Sequence, residues 1–440
     1  MSKLREALLL HIVFPLGELV KGTCATKWYR RISRMNHWSK SDIEEWQNMQ
    51  LQEFVRHAYD HTVYYRRLFD ELGIRADDIK SSRDLAKLPV ITKDIINAHY
   101  KELIPDNLPS FKYRLCRSGG TTGVPVQYNC DEDVWGYVTA AKLYYWKKAG
   151  YRFGDPFIAF GSASLFSRKP SLSRRIYDLI RNEHPLNCVD LTEGKCLQYC
   201  DYIKKKHIRF IYGYAAAIYI LACFIKKNQI VIDGIKGVFT TSENLTDWYR
   251  EVIEDAFHCK VMDCYGARDA GISAYESEPG CYCIGYNTIV EIGDAIGDGT
   301  GSVISTNFLN YSFPLLRYRF GDEAELCPAD DVKGYNGQQF KRLLGRSSHV
   351  LRLENGRSLS ATGFSMIMKE FDISAFDISK SGENAVLLRI QTIPGKYTDE
   401  QEETITRTLR RYLGDDCKLT IEKVSQFETA SNGKRTYFLV

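Results

Sequence analysis

The sequence predicts an α/β protein whose central sheet is mostly parallel. Three short apolar stretches have the composition of buried strands: FIYGY (210–214), GVFTTSE (237–243) and KVMDCYG (260–266). The first two are each followed by a helical pattern, and the third repeats the arrangement. Strands that alternate with helices are typical of layered α/β folds. PFIAF (156–160) is a further buried strand of the same kind.

The character of the sequence changes after residue 284, which predicts how the chain divides into domains. Residues 285–345 contain strand-like stretches separated by glycine turns, as in a β subdomain. Residues 346–440 mix strand and helix patterns and predict a small α+β domain. We therefore expect a large N-terminal domain over 1–345, which contains the β subdomain, and a small C-terminal domain over 346–440. The polar turn GRSSH (345–349) marks the expected boundary.

Capping residues indicate where several helices begin and end. Residues 39–72 show apolar residues at helical spacing, with Ser41 placed to cap the helix and Gly73 placed to end it. Thr92 is expected to begin another helix, and Gly150 is expected to end the one that follows the glycine-rich stretch.

Composition limits the class of protein. The chain has 440 residues, of which 44% are hydrophobic and 26% are charged, and this predicts a soluble globular protein. A formal net charge of only +4 argues against a nucleic-acid-binding protein. The 13 cysteines follow no framework spacing, so we expect reduced thiols in a cytoplasmic protein.

The N-terminal stretch EALLLHIVFPLGELV (6–20) has two interpretations. It is too short to span a membrane and is interrupted by Pro15, so a packed helix is one of them. The other is an interfacial anchor, which would place the protein at the inner face of a membrane. Four cations that follow the stretch favour the anchor: Lys27, Arg30, Arg31 and Arg34.

The stretch RSGGTTGVP (117–125) concentrates glycine and hydroxyl residues. Backbone N–H groups of such a loop can converge on phosphate oxygens, and hydroxyl groups add donors. The stretch lacks the lysine of a G-x-x-x-x-G-K-[ST] loop. Taken alone, its composition fits a phosphate cradle and a structural turn equally well.

Four further stretches, in order along the chain, favour the phosphate cradle over the structural turn. They are CYGARDAG (264–271), LLRYRFGDEAEL (315–326), LLGRSSHVLRLENGRSL (343–359) and SNGKRTYFLV (431–440). Together with RSGGTTGVP, they resemble the phosphate-loop, Tyr-Gly-x-x-Glu, Tyr-Arg-x-Gly-Asp, hinge and C-terminal lysine motifs of the adenylate-forming superfamily. Residues 64–96 and 210–227 look like the phenylacetate–CoA ligases and the related CapK-like proteins of capsular polysaccharide biosynthesis.

The resemblance implies an ATP-dependent, AMP-forming ligase. A carboxylic acid attacks the α-phosphate of ATP to give an acyl-adenylate, and a nucleophile then displaces AMP. Mg²⁺ is the implied metal. The implied acceptor is the thiol of coenzyme A or an amine or hydroxyl, with a role in capsular or surface polysaccharide synthesis as one context. The acid and the oligomeric state cannot be predicted from the sequence.

The resemblance also implies roles for individual residues. The ATP phosphates would be bound by Ser118, Gly119, Gly120, Thr121, Thr122 and Gly123, with Thr121 also catalytic. The nucleoside would be bound by Ser242, Glu243, Tyr265, Gly266, Asp322 and Arg346. The acid would be bound by Tyr212, Gly213 and Tyr214. Asp269 would hold Mg²⁺, and Lys434 would be the catalytic lysine that stabilises charge on the α-phosphate.

Three positions depart from the motifs: Asp269 replaces the usual glutamate, Ser348 replaces the hinge aspartate, and Ala215 replaces a common proline. They keep open a catalytically silent scaffold that retained this fold. A nucleotidyltransferase that uses the same glycine-rich loop is a second alternative. Cys281 and Cys283 form a C-x-C pair, for which buried thiols and a metal site are both interpretations.

Overall fold

The computed structural model is described over most of the chain. The described residues are 3–21, 23–117, 126–161, 172–188, 191–242, 245, 247–295, 299–332, 334–346, 350–354, 358–360, 364, 368, 371–425 and 438–439. Among the predicted site residues, 118–123, Glu243 and Lys434 lie outside these ranges, as does the predicted hinge residue Ser348.

Helices dominate the N-terminal part of the chain. The helices are α1 (Lys3–Leu8), α2 (Phe14–Lys21), α3 (Ala25–Met35), α4 (Lys40–His61), α5 (Val63–Leu72), α6 (Lys93–Ala98), α7 (Glu132–Lys148), α8 (Leu172–Arg181), α9 (Glu193–Lys205), α10 (Ala215–Lys227), α11 (Asp247–Phe257) and α12 (Asp399–Leu413). A π-helical turn, Leu9–Val13, joins α1 to α2.

Strands follow from residue 113 onward. They are β1 (Tyr113–Arg117), β2 (Gln127–Asp131), β3 (Phe157–Gly161), β4 (Glu183–Asn187), β5 (Phe210–Tyr214), β6 (Gly237–Thr241), β7 (Val261–Ala267), β8 (Ile272–Glu278), β9 (Cys281–Ile284), β10 (Thr288–Gly293), β11 (Gly301–Asn307), β12 (Tyr318–Leu326), β13 (Gln339–Arg346), β14 (Val350–Arg352), β15 (Ser358–Ser360), β16 (Ile373–Gly382), β17 (Ala385–Thr392), β18 (Lys418–Lys423) and β19 (Phe438–Leu439).

Eleven of the described strands form one large sheet with the order β10-β11-β12-β13-β9-β8-β7-β6-β5-β3-β4. The pairs from β4 through β3, β5 and β6 to β7 are parallel, which confirms the predicted α/β fold in this part. From β7 to β8, β9 and β13 the pairs are antiparallel. The turn after β7 is too short for a crossover, so β8 can only return beside it in the opposite direction.

The predicted helix over 39–72 is two helices, and the expectation for Ser41 was wrong. Ser39 is the N-cap: its hydroxyl accepts from Asp42 N at 3.2 Å, and the Asp42 carboxylate accepts from Ser39 N at 2.9 Å. Thr62 interrupts the helix in an extended conformation and caps α5 by accepting from Tyr65 N. Gly73 ends α5 at φ +65°, as predicted.

The centre of the large sheet is packed with aromatic side chains. Trp146 of α7 stacks on Phe239 of β6, with ring centroids 4.4 Å apart and an interplanar angle of 10°. Gly213 of β5 lies opposite Phe160 of β3. A Cβ atom at Gly213 would lie 2.1 Å from the carbonyl oxygen of Phe160, so only glycine permits this approach of the two strands.

The chain forms two compact units. The first comprises 1–291, 303–320 and 326–341, and the second comprises 292–302, 321–325 and 342–440. In the second unit, β18, β17, β16 and β19 form a four-stranded sheet. Its core includes Phe376, Ile378 and Leu388 together with Leu409 of α12.

Candidate functional site

The carboxyl ends of three neighbouring parallel strands bring several predicted site residues into one row. Tyr214, the last residue of β5, lies opposite Thr241 of β6. Thr241 in turn lies opposite Cys264 of β7, so Ser242 and Tyr265 continue the two strands side by side. In open α/β sheets, ligands bind outside the carboxyl ends of parallel strands. The row therefore lies where a ligand site is expected for such a sheet.

Ser242 and Tyr265 differ in exposure and in their surroundings. Ser242 is exposed and adopts a left-handed conformation at φ +67°, which costs energy for a residue with a Cβ and is common at ligand sites. Tyr265 is half-buried, and its ring meets Phe340 edge-on with centroids 5.8 Å apart. Gly266 follows on the exposed edge of β7.

The two tyrosines of the FIYGY strand occupy different environments. The Tyr212 ring packs 5.1 Å from Trp146, and its hydroxyl is hydrogen-bonded to Thr241, so this side chain belongs to the sheet packing. Burial raises the pKa of Tyr212. Tyr214 is half-buried and directly precedes α10, and its role toward an acid stays a prediction.

Asp269 lies in the turn between β7 and β8. The Tyr318 hydroxyl donates a hydrogen bond to Asp269 Oδ2 at 3.2 Å. The turn borders a small cleft, whose other walls include Val134, Asn310 and Leu315. Arg268, the residue before Asp269, has its guanidinium carbon 4.1 Å from the ring centroid of Trp135.

Hydrogen bonds from three side chains, at the start of β10 and the end of β11, lock this turn. The carbonyl oxygen of Gly271 accepts from Thr288 Oγ1 at 2.9 Å, from Asn307 Nδ2 at 2.8 Å and from Asn287 Nδ2 at 3.2 Å. Gly271 has φ +66°, and a Cβ there would lie within 2.4 Å of the Asn307 side chain. The position of Asp269 is therefore set by buried amides and a hydroxyl that the sequence motifs did not single out.

The hairpin β1–β2 carries the predicted phosphate loop as its connection. Its strands pair from Tyr113–Asp131 to Arg117–Gln127, and residues 118–125 join them. Tyr128 of β2 lies near the Asp269 turn, since burial and the negative charge of Asp269 raise the pKa of its hydroxyl. The hairpin therefore places both ends of the predicted phosphate loop on the same side of the molecule as Asp269.

A low-pKa thiol lies at the start of this connection. Cys116 is two residues before Ser118 and is hydrogen-bonded to Cys130, which lies diagonally across the hairpin. This bond lowers the pKa of the Cys116 thiol to about 6, helped by the guanidinium groups of Arg268 and Arg114. Cys130, as the donor in this pair, has a raised pKa.

A buried ionic network supports β7 from behind. Arg250 of α11 makes a bidentate pair with Glu276, with distances of 2.6 and 2.8 Å, and Glu276 also accepts from Asp263 N. The Asp263 carboxylate accepts from the hydroxyls of Thr240 at 2.6 Å and Tyr282 at 3.0 Å. Burial nevertheless raises the pKa of Asp263 to about 6. Asp263 and Thr240 immediately precede the strand ends that form the row.

The remaining predicted residues lie in the second unit. Asp322 is buried on β12, with 7% of its surface exposed, and Arg346 ends β13. Lys434 lies outside the described residues, but Phe438 and Leu439, just after it, pair in parallel with Ile378 and Ser379 of β16. Their roles toward a nucleotide stay predictions.

The thiol interpretation of Cys281 and Cys283 is consistent with the structure. Cys283 is buried and accepts a hydrogen bond from Gln339 Nε2 at 3.3 Å. Over the described ranges, no group of three or more His, Cys, Asp or Glu side chains is arranged to hold a metal ion.

Comparison with known proteins gives this chain relatives but no matching family model. It is 26% identical over 340 residues to Protein CapK of Staphylococcus aureus, covering 74% of this chain and 72% of that protein. It is 23% identical over 437 residues to phenylacetate-coenzyme A ligase of Aromatoleum evansii, covering 90% of this chain and 94% of the ligase.

Solved structures of 2-hydroxyisobutyryl-CoA ligase share the fold at 15% sequence identity. The ligase in the postadenylation state with R3-HIB-AMP has a TM-score of 0.66, covering 91% of this chain and 90% of the ligase. Its open conformation with 2-HIB-AMP and CoA has a TM-score of 0.62, covering 91% and 92%. The predicted resemblance is confirmed: the chain is similar in sequence to phenylacetate–CoA ligases and to CapK, and it has the fold of these acyl-CoA ligase structures.

Proposed function

We propose that this protein activates a carboxylic acid with ATP as an acyl-adenylate and passes the acyl group to the thiol of coenzyme A. One observation carries the proposal: the locked turn of Asp269, the hairpin around 118–125 and the row of strand ends lie in one unit. These elements bear motifs that are separated in the sequence, and a ligand-binding function accounts for their convergence.

In the first half-reaction, the glycine-rich segment 118–123 would bind the triphosphate through N–H and hydroxyl groups. Lys434 would stabilise negative charge as the carboxylate attacks the α-phosphate and pyrophosphate leaves. Tyr265 would lie against the adenine base, Ser242 and Glu243 would line its pocket, and Asp322 would accept from the ribose hydroxyls.

The residues present fit a magnesium ion that is shared with ATP. Mg²⁺ commonly takes one or two protein carboxylates and completes its shell with phosphate oxygens and water. Asp269 offers one such carboxylate, oriented by the Tyr318 hydroxyl, in a turn that three side chains fix. The ion would neutralise charge on the departing pyrophosphate.

For the second half-reaction, the extent of the relationship favours a thiol acceptor. The match to the Aromatoleum evansii ligase spans 90% of this chain and so must reach into the predicted C-terminal domain, whereas the CapK match spans 74%. An amine or hydroxyl of a sugar, in surface polysaccharide synthesis, is the alternative acceptor that the CapK relationship favours.

The first experiment measures pyrophosphate release from ATP and Mg²⁺ with a panel of aryl, fatty, amino and hydroxy acids. We expect release with one acid class, and acyl-CoA formation when coenzyme A is added. Release of pyrophosphate without any acid would instead indicate a nucleotidyltransferase. ATP binding by calorimetry without release on a broad panel would favour a silent scaffold.

Matched variants test the residues. Lys434→Ala should abolish pyrophosphate release while ATP affinity is retained, whereas Lys396→Ala, at an exposed lysine of the same unit, should leave release unchanged. Asp269→Asn should raise the Mg²⁺ concentration needed for half-maximal rate, whereas Asp330→Asn, at an exposed acid, should not. Full activity of Lys434→Ala would remove this lysine from the mechanism.

A further inference from the structure

The outward face of the N-terminal helices is apolar. The exposed residues on this face are Leu8 (50% exposed), Ile12 (53%), Leu16 (58%) and Leu19 (80%). Their spacing of four, four and three residues places them on one side of the helical segment. Soluble proteins rarely leave such a continuous row of large aliphatic side chains in water.

Helix α8 extends this apolar surface. Its Tyr177 ring lies 5.9 Å from the ring of Phe14 in α2, so the two helices are neighbours. On either side of Tyr177, Ile176 is 50% exposed and Leu179 is 81% exposed. We call the six exposed side chains of α1, α2, the π turn and α8 the apolar ridge.

The opposite side of the same segment is attached to the body of the protein. Phe14 is buried, with its ring 4.9 Å from that of Phe153. Glu18 is 5% exposed, and its two carboxylate oxygens accept from the backbone N–H groups of Ala25 and Thr26 at the start of α3. The inner face of the segment is therefore packed against the rest of the protein, and the side chains of the apolar ridge remain exposed on the opposite face.

Exposed arginines lie on α3 and α8, whereas the α8 carboxylate between Ile176 and Leu179, that of Asp178, is partly covered. Arg30 and Arg34 are exposed one turn apart on α3, which Glu18 joins to α2, and Arg175 is exposed beside Ile176 on α8. Lys27 of the same α3 face pairs with Asp133 at 2.9 Å. Among the described side chains 6–19, no exposed position carries a carboxylate, since Glu6 is partly covered and Glu18 is buried.

We propose that the apolar ridge docks on the surface of an anionic lipid bilayer. An apolar face that inserts among lipid chains, with arginines at the level of the headgroups, is the arrangement of interfacial helices. Over the part of the chain that the structure describes, no helix has the length and apolar character to cross a bilayer. The protein therefore lies on the membrane and does not span it through these helices.

A second copy of the chain fits the same surface less well. In a two-fold dimer the same patch meets itself, so the arginines of one copy, Arg30, Arg34 and Arg175, would be brought close to those of the other. An anionic bilayer instead supplies the opposite charge to all three. This charge complementarity selects lipid as the occupant.

The test is co-sedimentation of the full chain with vesicles at low salt. We expect binding to phosphatidylcholine vesicles that contain phosphatidylglycerol, and much weaker binding to phosphatidylcholine alone. The double variant Leu16→Ser/Leu19→Ser should lower vesicle partitioning by about tenfold or more, because two exposed aliphatic side chains no longer insert. Arg30→Gln/Arg34→Gln should lower it by about tenfold and remove most of its salt dependence.

A matched control replaces exposed apolar residues elsewhere in the same unit. Leu72→Ser/Val231→Ser changes side chains that are 44% and 63% exposed and should leave binding unchanged. Equal binding of Leu16→Ser/Leu19→Ser and the parent chain would overturn the proposal. So would a lack of vesicle binding together with a concentration-dependent dimer that Leu16→Ser/Leu19→Ser abolishes. Vesicle binding is measured without ATP, so it does not depend on the proposed ligase activity.

Discussion

Two neighbouring regions of the first unit are held together by different forces. In the apolar centre, formed by β3, β5 and β6 under α7, the contacts are stacked rings and a strand approach that only Gly213 permits. The polar end is formed by β7–β9, the turn 268–271 and the hairpin β1–β2. It is stabilised by side-chain hydrogen bonds and ion pairs.

The difference shows where the chain places its buried charges. Side chains with strongly perturbed titration, such as Asp263 and Cys116, lie in the polar end, next to the candidate site. Substitutions that change side-chain volume should therefore destabilise mainly the apolar centre. Charge substitutions and changes of pH should act mainly on the polar end. The following predictions test that contrast.

The largest effect is expected for Arg250→Met in the polar end. It leaves the Glu276 carboxylate, whose side chain is 2% exposed, without its bidentate partner, and breaking such a pair costs about 3–5 kcal/mol. Urea denaturation should show the loss. The control is Arg56→Met, since Arg56 and Asp77 form an equally short pair in water and little change is expected. Equal small losses for both variants would contradict the network's role.

A smaller loss is expected for Gly213→Ala in the apolar centre. The new Cβ would meet the Phe160 carbonyl oxygen at 2.1 Å, which forces β5 and β3 apart and costs about 1–3 kcal/mol. Gly266→Ala is the matched change, because its Cβ would contact only Ile272 O at 3.6 Å. Thermal unfolding should separate the two variants, and identical melting temperatures would show that the strands tolerate the methyl group.

The pH dependence of the free energy of unfolding should come mainly from titratable groups in the polar end. Burial raises the pKa of Asp263 from 3.8 to about 6, so the folded state binds its proton more tightly than the unfolded state. This contribution is fully present below pH 4 and is lost as pH rises through 6, a change of about 3 kcal/mol. Asp263→Asn should flatten the pH profile of unfolding in this interval.

Asp131, at the end of β2, should change the free energy of unfolding with pH in the same direction, since burial also raises its pKa to about 6. Part of the slope should therefore survive in Asp263→Asn. An Asp330→Asn control, at an exposed acid, should keep the whole slope. A slope that Asp263→Asn leaves intact would assign the pH dependence to other groups.

The smallest effect concerns reactivity and leaves stability unchanged. At pH 7, Cys116 should be mostly thiolate and react with iodoacetamide, because its pKa is about 6 and it is half-buried. Cys264, buried in the middle of β7, has a raised pKa and should be protected. Peptide mapping by mass spectrometry would compare the two, and faster labelling of Cys264 would reverse the assignment.

The parallel part of the fold could be predicted because its strands are short, wholly apolar and followed by helices. β5 was predicted to the residue at Phe210–Tyr214. β4, Glu183–Asn187, was not predicted, because Pro185 and polar residues interrupt any strand pattern, and the strand is stable only at the sheet edge. β8 and β9 were also missed, although most of their residues are buried.

The motifs of the candidate site could be predicted from the sequence, but the contacts that hold these motifs in place could not. The segment of Asp269 and the motif that contains Tyr318 were identified from the sequence, whereas the contact between them and the role of Asn307 were not. Tyr318 is 49 residues from Asp269, and Asn307 is 36 residues from Gly271. Contacts at such separations are set by the pairing of strands, and no local pattern in the sequence encodes them.

The hairpin β1–β2 forms a two-stranded sheet of its own, apart from the large sheet. Its end away from 118–125 is attached where Asn310 accepts from Asp131 N and donates to Asn129 O, each at 2.9 Å. The end beside 118–125 is attached as well, since Gln127 Nε2 donates to the Tyr100 hydroxyl at 3.1 Å. A load on the phosphate-loop segment would therefore pass into the body of the protein through side-chain contacts at both ends of the hairpin, and not through the backbone ladder of the large sheet.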